Sequence, residues 1–428
     1  MQVIEYPKRE DWPQLVQRPV LEQLSLEKKV RKLLSKVKEG GDKAVKKFTR
    51  EFDGVKIKNL LVSEKEIKKA AGEVAEELKE AIITAKNNIT AFHTLQLQQE
   101  QSVETIPGVK CWRKSVGIEK VGLYIPGGTA PLFSTVLMLG IPAKLAGCRE
   151  IILCTPPQKD GTINPVILFT AQLAGITKVF KAGGAQAIAA MAYGTASIPK
   201  VYKIFGPGNQ YVTCAKQWIQ SDGVAIDMPA GPSEVCVLAD DSADPSFVAA
   251  DLLSQAEHGA DSQVLLVTTS KELALKVQAE IAMQVDQLPR KKLALQALEN
   301  SKVIVFGSMD DAVELVNEYA AEHLIISCVD DEAITGKIIN AGSVFLGNYS
   351  PESVGDYASG TNHVLPTNGF ARAYSGVSVD SFVKKISYQK LTKEGLRNIG
   401  RTVMAMAEAE GLEAHSKAVS LRLDLINE

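Results

Sequence analysis

Short apolar runs alternate with longer helical segments from residue 121 onward. A first block contains VGLYIP, EIILCTPP, ITKVFKAGG and KVYKIFGPGN, and a second contains SQVLLVTTS, KVIVFGS, HLIISC and AGSVFLG. Runs of this kind predict buried strands, and their alternation with helices predicts parallel βαβ units with right-handed crossovers. The pattern therefore predicts two α/β blocks, which we expect to face each other across a cleft.

The segments before and after these blocks are predicted to be helical. Residues 25–54 and 63–96 combine helical periodicity with many Lys and Glu residues; a Gly-Gly pair divides the first segment, and a capping box opens the second. A loop rich in Gly, Ser and Asn covers 347–376, and helices are predicted again in 391–424. A helical tail that follows a long loop can pack on a partner subunit.

The composition is that of an ordinary globular protein. Of the 428 residues, 45% are hydrophobic and 23% are charged, and the formal net charge is −2. We therefore expect no general attraction to nucleic acid or to an anionic membrane. The most apolar region is interrupted too often by Gly and Pro to span a bilayer, and the first residues lack the apolar core of a signal peptide. These features predict a cytoplasmic protein.

The six cysteines form no Cys-x-x-Cys pair, and most of them lie in apolar, strand-like runs. This distribution is typical of reduced thiols in a cytosolic protein rather than of a disulfide framework. It also argues against a metal held by cysteine. Any bound metal is therefore expected to have nitrogen and oxygen ligands.

Three predicted strands run directly into glycine turns, at 126–128, 182–184 and 206–209. Open α/β sheets bind nucleotides at the carboxyl ends of their parallel strands, where glycine allows close approach of the ligand. The complete Gly-x-Gly-x-x-Gly pattern is absent. Ordinary tight turns explain these glycines equally well, so the turns favour a nucleotide site without specifying one.

Four of the five histidines lie after residue 250 in polar or glycine-containing surroundings: His258, His323, His363 and His415. Each one alone is more often a structural residue than a ligand, but together with nearby carboxylates they form a candidate metal site. Gln255 and His258 share a helix face, although a capped, solvated helix end explains that spacing too. Asp356 and His363 lie in the long loop, and Glu410 and His415 lie near the end of the last helices.

Glu322 and His323 are adjacent at the start of the predicted strand HLIISC. Neighbours on a regular strand point to opposite faces, so both reach one pocket only if the helix-to-strand junction is irregular. In that case the pair is suited to general acid–base catalysis near neutral pH. Otherwise it is a helix-ending Glu and a packed His. Ser233, in the turn of AIDMPAGPSEV, can bind a ligand or merely stabilise the turn.

The longer motifs, taken in order, resemble the histidinol dehydrogenase family over nearly the whole chain. They are VGLYIPGGTAPLFSTVLML, KAGGAQAIAA, KIFGPGN, AIDMPAGPSE, DLLSQAEHG, EHLII, AGSVFLG, SPESVGDYASGTNHVLPT and EGLEAH. The resemblance implies oxidation of L-histidinol through L-histidinal to L-histidine, the last step of histidine biosynthesis, with two NAD+ reduced in succession and one Zn²⁺ per subunit. It also implies a pair of incomplete Rossmann-like domains, similar to those of aldehyde dehydrogenases, in an intertwined homodimer with a shared active site.

The same resemblance implies roles for individual residues. The zinc ligands would be Gln255, His258, Asp356 and His415, although spacing alone does not favour Gln255 over Glu257. His323 would accept the hydroxyl proton, and Glu322 would activate a water for the aldehyde step. Further substrate contacts would come from Ser233, His363 and Glu410, and the NAD site would be lined by Tyr124, Gln186 and Asn209. Glu410 and His415 would reach the site of the partner subunit.

The resemblance also suggests domain limits. These are an N-terminal segment at 1–20, a substrate, zinc and catalytic domain from 21–120 and 235–377, an NAD-binding domain at 121–234, and a C-terminal helical dimerisation domain at 378–428. Two other functions stay open. A cysteine-dependent NAD aldehyde dehydrogenase would need an activated thiolate near the nicotinamide, and a zinc- or nucleotide-binding regulatory protein would bind ligands without turnover.

Overall fold

The computed structural model describes residues 1–18, 24–127 and 131–427. Its strands are β1 (Gln2–Glu5), β2 (Ser102–Ile106), β3 (Val109–Gly117), β4 (Lys120–Tyr124), β5 (Glu150–Thr155), β6 (Lys178–Lys181), β7 (Lys203–Phe205), β8 (Ala225–Ile226), β9 (Glu234–Ala239), β10 (Gln263–Thr268), β11 (Lys302–Val305), β12 (His323–Ser327), β13 (Ser343–Leu346) and β14 (Val383–Leu391). Its α-helices are α1 (Trp12–Leu15), α2 (Leu24–Phe48), α3 (Glu64–Glu73), α4 (Glu76–Thr94), α5 (Phe133–Leu145), α6 (Pro165–Leu173), α7 (Gly184–Tyr193), α8 (Gln210–Ser221), α9 (Pro245–Ala256), α10 (Lys271–Gln284), α11 (Lys291–Glu299), α12 (Met309–Tyr319), α13 (Asp331–Thr335), α14 (Glu352–Tyr357), α15 (Lys393–Ala409) and α16 (Glu413–Asn427). Among the described residues, none of these helices has the length and apolar composition needed to cross a membrane.

Two parallel sheets organise the fold, as the alternation of strands and helices predicts. One has five strands in the order β6-β5-β4-β7-β8, and the other has six in the order β1-β11-β10-β9-β12-β13. All pairings within both sheets are parallel. Strands β9, β10 and β12 are buried at every residue, because a parallel sheet is normally covered by helices on both faces. The predicted α/β fold class is confirmed.

Two local predictions in the N-terminal helices are also confirmed. The Gly-Gly pair interrupts α2, where Gly41 has φ of 52° and leaves the helical conformation. Ser63 caps α3 in a capping box: its hydroxyl accepts from the main-chain N–H of Glu66 at 3.3 Å, and the Glu66 carboxylate accepts from the N–H of Ser63 at 2.9 Å. Each cap satisfies an N–H that the first turn of a helix leaves unpaired.

The N-terminal elements join the two sheets in different places. β1 pairs with β11 in the six-stranded sheet, whereas α2 packs on α7 and α8, and α3 and α4 pack on α6 and α5 beside the five-stranded sheet. This packing differs from the expected grouping of 21–120 with 235–377. The reason is that an amphipathic pattern shows which face of a helix is buried but not which sheet covers it.

The C-terminal part forms a separate layer on a small antiparallel sheet of order β14-β3-β2. α15 and α16 pack on each other, and α15 also packs on β2 and β14, which confirms the helices predicted in 391–424. α15 and α16 form a helical hairpin, here called the C-terminal hairpin. Large apolar side chains stay exposed on it, including Met406 at 62% and Leu425 at 72%. The hairpin therefore presents an apolar surface to its surroundings.

Candidate active site

The carboxyl ends of the five-stranded sheet open into a cleft of about 1070 Å³. Tyr124, Gln186 and Asn209 all line it, so the three residues expected at an NAD site lie around one space. The turn at 206–209 requires glycine at its first position. Gly206 has φ of +122°, and an added Cβ would lie 2.0 Å from the main-chain oxygen of Tyr124. Gly206 therefore lets the end of β7 approach the end of β4 closely, whereas Gly128 of the turn at 126–128 lies outside the described residues.

The three side chains are held differently. The Tyr124 hydroxyl accepts from the N–H of Gly184 at 3.0 Å. Asn209 caps α8, where its Oδ1 accepts from the N–H groups of Tyr211 and Val212 at 3.1 and 3.2 Å. Gln186 is 1% exposed, and its Nε2 has no hydrogen-bond partner among the described residues. A buried donor without an acceptor is costly, so Gln186 is suited to bind a ligand oxygen.

Asp53 also lines this cleft, and the sequence pattern does not single it out. Its Oδ2 is buried without a partner in the described part of the chain, and burial raises the pKa of its carboxyl to about 6. An unpaired acceptor and the unpaired donor of Gln186 thus face one cavity. This combination suits a ligand that carries hydroxyl groups, as a ribose does.

Glu322 and His323 converge because the junction between α12 and β12 is irregular. Ala320 ends α12 with φ of 52° and ψ of 61°, a left-handed conformation that is uncommon for Ala. Glu322 then lies just before the strand rather than in it, and its Oε2 is 3.7 Å from Nδ1 of His323. The structure therefore favours one shared pocket over a regular strand with opposed side chains.

Both residues are held by the main chain of Glu234, the first residue of β9. The Glu234 N–H donates to Oε2 of Glu322 at 2.9 Å, and its carbonyl oxygen accepts from Nδ1 of His323 at 3.3 Å. The other imidazole nitrogen, Nε2, lies 3.1 Å from Oδ1 of Asp356. Ser233 immediately precedes Glu234, and its carbonyl accepts from the N–H of Gln263 at 3.2 Å.

Burial and charge shift the pKa values of this pair. Burial raises the pKa of Glu322 to about 8. Burial alone would lower the pKa of His323, but three carboxylates, of Glu322, Asp356 and Glu352, outweigh it and raise that pKa to about 10. Adjacent side chains with strongly shifted pKa values are typical of sites that transfer protons.

Gln255 and His258 lie at the carboxyl end of α9, and His258 is near enough to Asp356 and His323 to interact with both electrostatically. Gln255 is 1% exposed, and its Oε1 has no hydrogen-bond partner among the described residues. A solvated helix cap does not explain a buried, unpaired amide oxygen, whereas a bound cation does. His258 is open to solvent on one side, but the protein packed around it desolvates the imidazole and lowers its pKa, against the attraction of Asp356.

Asp356 and His363 lie on and after α14, over the same pocket. Burial opposes ionisation of Asp356, but the hydrogen bond with His323 holds its pKa below the usual range. Nδ1 of His363 donates to the carbonyl of Asp356 at 2.7 Å, and Nε2 lies 2.9 Å from the hydroxyl of Thr135 on α5. The Thr135 contact joins the loop to the layer of the five-stranded sheet, so the pocket lies between the two sheets.

Glu410 and His415 do not join this cluster within one chain. Glu410 ends α15 and His415 lies on the first turn of α16, and both are exposed. The described residues contain no group of three or more His, Cys, Asp or Glu side chains arranged to hold a metal ion. Of the four expected zinc ligands, His258 and Asp356 are close enough to interact electrostatically, Gln255 lies one turn before His258, and His415 is on the C-terminal hairpin.

A further buried carboxylate, that of Glu352, lies near the catalytic pair, and the sequence pattern does not indicate a role for it. Glu352 is 1% exposed, and its Oε1 accepts from the hydroxyl of Ser254 on α9. Burial raises the pKa of Glu352 to about 7. Glu352 belongs to the motif SPESVGDYASG, but nothing in the spacing distinguishes it from a surface Glu near a helix start.

The cysteines do not supply an activated thiolate. Five of the six are buried: Cys148, Cys154, Cys214, Cys236 and Cys328. Burial raises the pKa of each of these five thiols, for example to about 12 for Cys236. Cys111 lies on β3 of the small antiparallel sheet, and none of the six lines the cleft that the described residues form. These observations argue against a cysteine-dependent aldehyde dehydrogenase.

Comparisons with known proteins all point to one family. The family model described as histidinol dehydrogenase matches residues 16–423. The histidinol dehydrogenase of Bacteroides thetaiotaomicron is 59% identical over 426 residues, which is 100% of both chains, and that of Xylella fastidiosa is 55% identical over 392 residues, which is 91% of both. The crystal structure of histidinol dehydrogenase from Elizabethkingia anophelis has a TM-score of 0.98 at 55% identity, and the match covers 100% of this chain and 99% of that one. The chain therefore belongs to the histidinol dehydrogenase family, whose members are NAD-dependent oxidoreductases.

Proposed function

We propose that this enzyme carries out the complete four-electron oxidation of L-histidinol to L-histidine, with two NAD+ and one Zn²⁺ per subunit. The observation that supports this best is the meeting of Glu322, His323 and Asp356 in one pocket, together with the buried amide oxygen of Gln255, which has no partner among the described residues. A proton acceptor, a water activator and a cation ligand in one pocket are what two successive oxidations of a bound alcohol require.

The residues present fit a zinc site that a single chain leaves incomplete. Gln255, His258 and Asp356 would supply an amide oxygen, an imidazole nitrogen and a carboxylate oxygen, and the exposed His415 would supply a second imidazole. Zn²⁺ held there would bind the imidazole and amino nitrogens of histidinol and so orient the substrate, rather than act as a Lewis acid on its hydroxyl.

In the first oxidation His323 removes the hydroxyl proton while the carbinol carbon transfers a hydride to NAD+. The bond between Nδ1 and the Glu234 carbonyl fixes the tautomer in which Nε2 carries the lone pair. If Asp356 were a cation ligand, its carboxylate would no longer accept from Nε2 of His323, and that nitrogen would be available to take the hydroxyl proton.

In the second oxidation Glu322 takes a proton from a water, and the resulting hydroxide adds to the carbonyl carbon of histidinal. The hydrate anion then transfers a hydride to the second NAD+ and becomes the carboxylic acid of histidine, which releases its remaining proton to water. A carboxyl with a pKa of about 8 is a stronger base than an exposed Glu, because burial disfavours its charged form. Glu322 is therefore suited to activate water.

The other expected contacts follow from position and charge. Ser233 and His363 would contact the substrate beside the catalytic pair, and Glu410 would pair with the amino group of histidinol. Tyr124, Gln186 and Asn209 would contact NAD+ in the cleft of the five-stranded sheet, and all three belong to the proposed NAD-binding domain at 121–234. The cytoplasmic location expected from the sequence suits an enzyme that uses this dinucleotide.

The number of reduced dinucleotides per product tests the reaction. We expect about two NADH per histidine formed, because oxidation of an alcohol to an acid releases two hydrides. The measurement pairs NADH absorbance with chromatographic quantification of histidine and histidinal. Glu322→Gln is the informative variant: it should release about one NADH per site and stop at histidinal. A wild-type ratio of one, with histidinal as the final product, would rule out the proposed second step.

We also propose a homodimer in which Glu410 and His415 complete the site of the other subunit through the dimerisation region at 378–428. Their exposed positions, just after α15 and on the first turn of α16, lie beside exposed apolar side chains and support this arrangement. Co-expression of His323→Asn with His415→Ala, each inactive alone, should restore about a quarter of wild-type activity, since half of the dimers are mixed and each has one intact site. The control co-expresses His415→Ala with the double variant His323→Asn/His415→Ala. No dimer in this mixture has an intact site. A mixture no more active than this control would contradict the shared site.

A further inference from the structure

A buried ion pair lies directly behind the catalytic pair. Nε and Nη2 of Arg18 donate to the two carboxylate oxygens of Glu234 at 2.6 and 2.9 Å, and the side chains are 12% and 2% exposed. The guanidinium also lies 4.2 Å from the centre of the Tyr319 ring and donates to the Tyr319 carbonyl at 2.6 Å. A bidentate, stacked arrangement of this kind fixes both position and orientation.

Glu234 connects this ion pair to the reacting groups. Its side chain binds Arg18 and accepts from the N–H of Asn368 at 2.7 Å, while its N–H and carbonyl hold Glu322 and His323. One residue therefore has its carboxylate fixed on one side and both main-chain groups committed to catalysis on the other. A displacement of Glu234 would move both catalytic side chains together.

We propose that Arg18 is a positioning residue, which acts through Glu234 to hold His323 in its proton-accepting tautomer and Glu322 in register with it. The inference rests on the proposed roles of Glu322 and His323. Arg18 comes from the N-terminal segment, 216 residues from its partner. The segment before α2 thus contributes to catalysis from outside the substrate pocket.

A purely structural role of Arg18 predicts a different effect of its replacement on kcat. The ion pair could simply anchor the N-terminal segment to the six-stranded sheet, as Lys302 does when its Nζ donates to the carbonyl of Leu15 at 2.6 Å. Lys302 lies at the start of β11 and does not contact the catalytic pair, so Lys302→Met loosens the same segment without touching Glu234. It is the matched control for Arg18.

The test compares Arg18→Met, Arg18→Lys and Lys302→Met in the full chain. Removal of one partner from a buried pair can prevent folding, so the double variant Arg18→Met/Glu234→Gln, which leaves no unpaired charge, is included. We expect the Arg18→Met and double variants to lower kcat by about 10- to 100-fold, because displacement of reacting groups by about 1 Å can cost 10²-fold. KM for NAD+ should stay unchanged, and Arg18→Lys should recover part of the loss.

A second measurement separates positioning from anchoring. With histidinol deuterated at the carbinol carbon, the isotope effect on kcat should rise in the Arg18 variants, because poor alignment makes hydride transfer more strongly rate-limiting. Lys302→Met should leave kcat and the isotope effect at wild-type values. An equal loss of kcat in Lys302→Met, or wild-type kcat in the folded double variant, would overturn the role of Arg18. If His323 is not the proton acceptor, the His323→Asn enzyme would be active, and this outcome is distinct from any result with the Arg18 variants.

Discussion

Replacement of His323 by Asn is expected to lower kcat for histidinol oxidation by roughly 10²- to 10⁴-fold, the usual contribution of a general base. The Asn amide can still donate to the Glu234 carbonyl, which lies 3.3 Å from Nδ1 in the wild type, but it has no group at the position of Nε2. An alcohol proton is too weakly acidic to leave without an acceptor. The loss should therefore fall on the chemical step and not on NAD+ binding.

Pre-steady-state NADH formation is the appropriate measurement, because it reports the first hydride transfer directly. His93→Asn is a matched control: His93 is also buried, and its Nδ1 donates to the carbonyl of Ile89 at 2.9 Å, but on α4. We expect this control to lower thermal stability and to leave kcat within a few-fold of wild type. If His323→Asn retains kcat within tenfold of the control, another group must accept the proton.

The sequence predicts the two parallel sheets well because their central strands are apolar on both faces. β9 and β12 are buried throughout, so their residues have only one compatible environment. The antiparallel sheet is not predictable in the same way. β14 contains VKKISYQKL and is mostly exposed, and a charged strand without a buried face has no distinctive period.

In the candidate site, too, local sequence motifs predict some residues, whereas contacts between distant segments are not predictable from them. The family motifs bring Gln255 forward, and its buried, unpaired oxygen gives the physical reason why it, rather than the half-exposed Glu257, suits a cation. The pairing of Arg18 with Glu234 leaves no trace in periodicity, because neither residue belongs to a local pattern that requires the other. Contacts of this type depend on the tertiary fold alone.

Ala320 illustrates why adjacency in sequence could not decide the role of Glu322. A left-handed Ala costs about 1 kcal/mol or more relative to a helical one, and a sequence alone gives no reason to expect it. Once that conformation is present, Glu322 binds the main-chain N–H of Glu234 and His323 binds its carbonyl oxygen. The conformational strain thus lies immediately before the residues that need an irregular junction.

Removal of the proposed Zn²⁺ by a chelator is expected to abolish turnover, with a loss of roughly 10³-fold or more, and added Zn²⁺ should restore it. The size of the effect follows from orientation, since alignment of reactants can be worth about 7 kcal/mol and the ion would hold the substrate nitrogens. Metal content measured by atomic absorption must fall together with kcat. Full activity after verified metal loss would exclude a zinc-oriented substrate.

The same proposal predicts a change in stability that does not depend on turnover. Zn²⁺ that binds only the folded protein raises the melting temperature in proportion to the logarithm of its concentration above Kd. Gln255→Leu removes the unpaired Oε1 but keeps similar volume in the buried position, so it should abolish most of this Zn²⁺-dependent shift without lowering the melting temperature of the metal-free protein. Gln278→Leu is the matched control, because Gln278 also lies on a helix, but its Nε2 donates to the carbonyl of Met1 at 3.1 Å and it is not one of the expected ligands. An unchanged shift in Gln255→Leu would mean that the buried amide oxygen has some other partner, and the metal site would then have to be built without it.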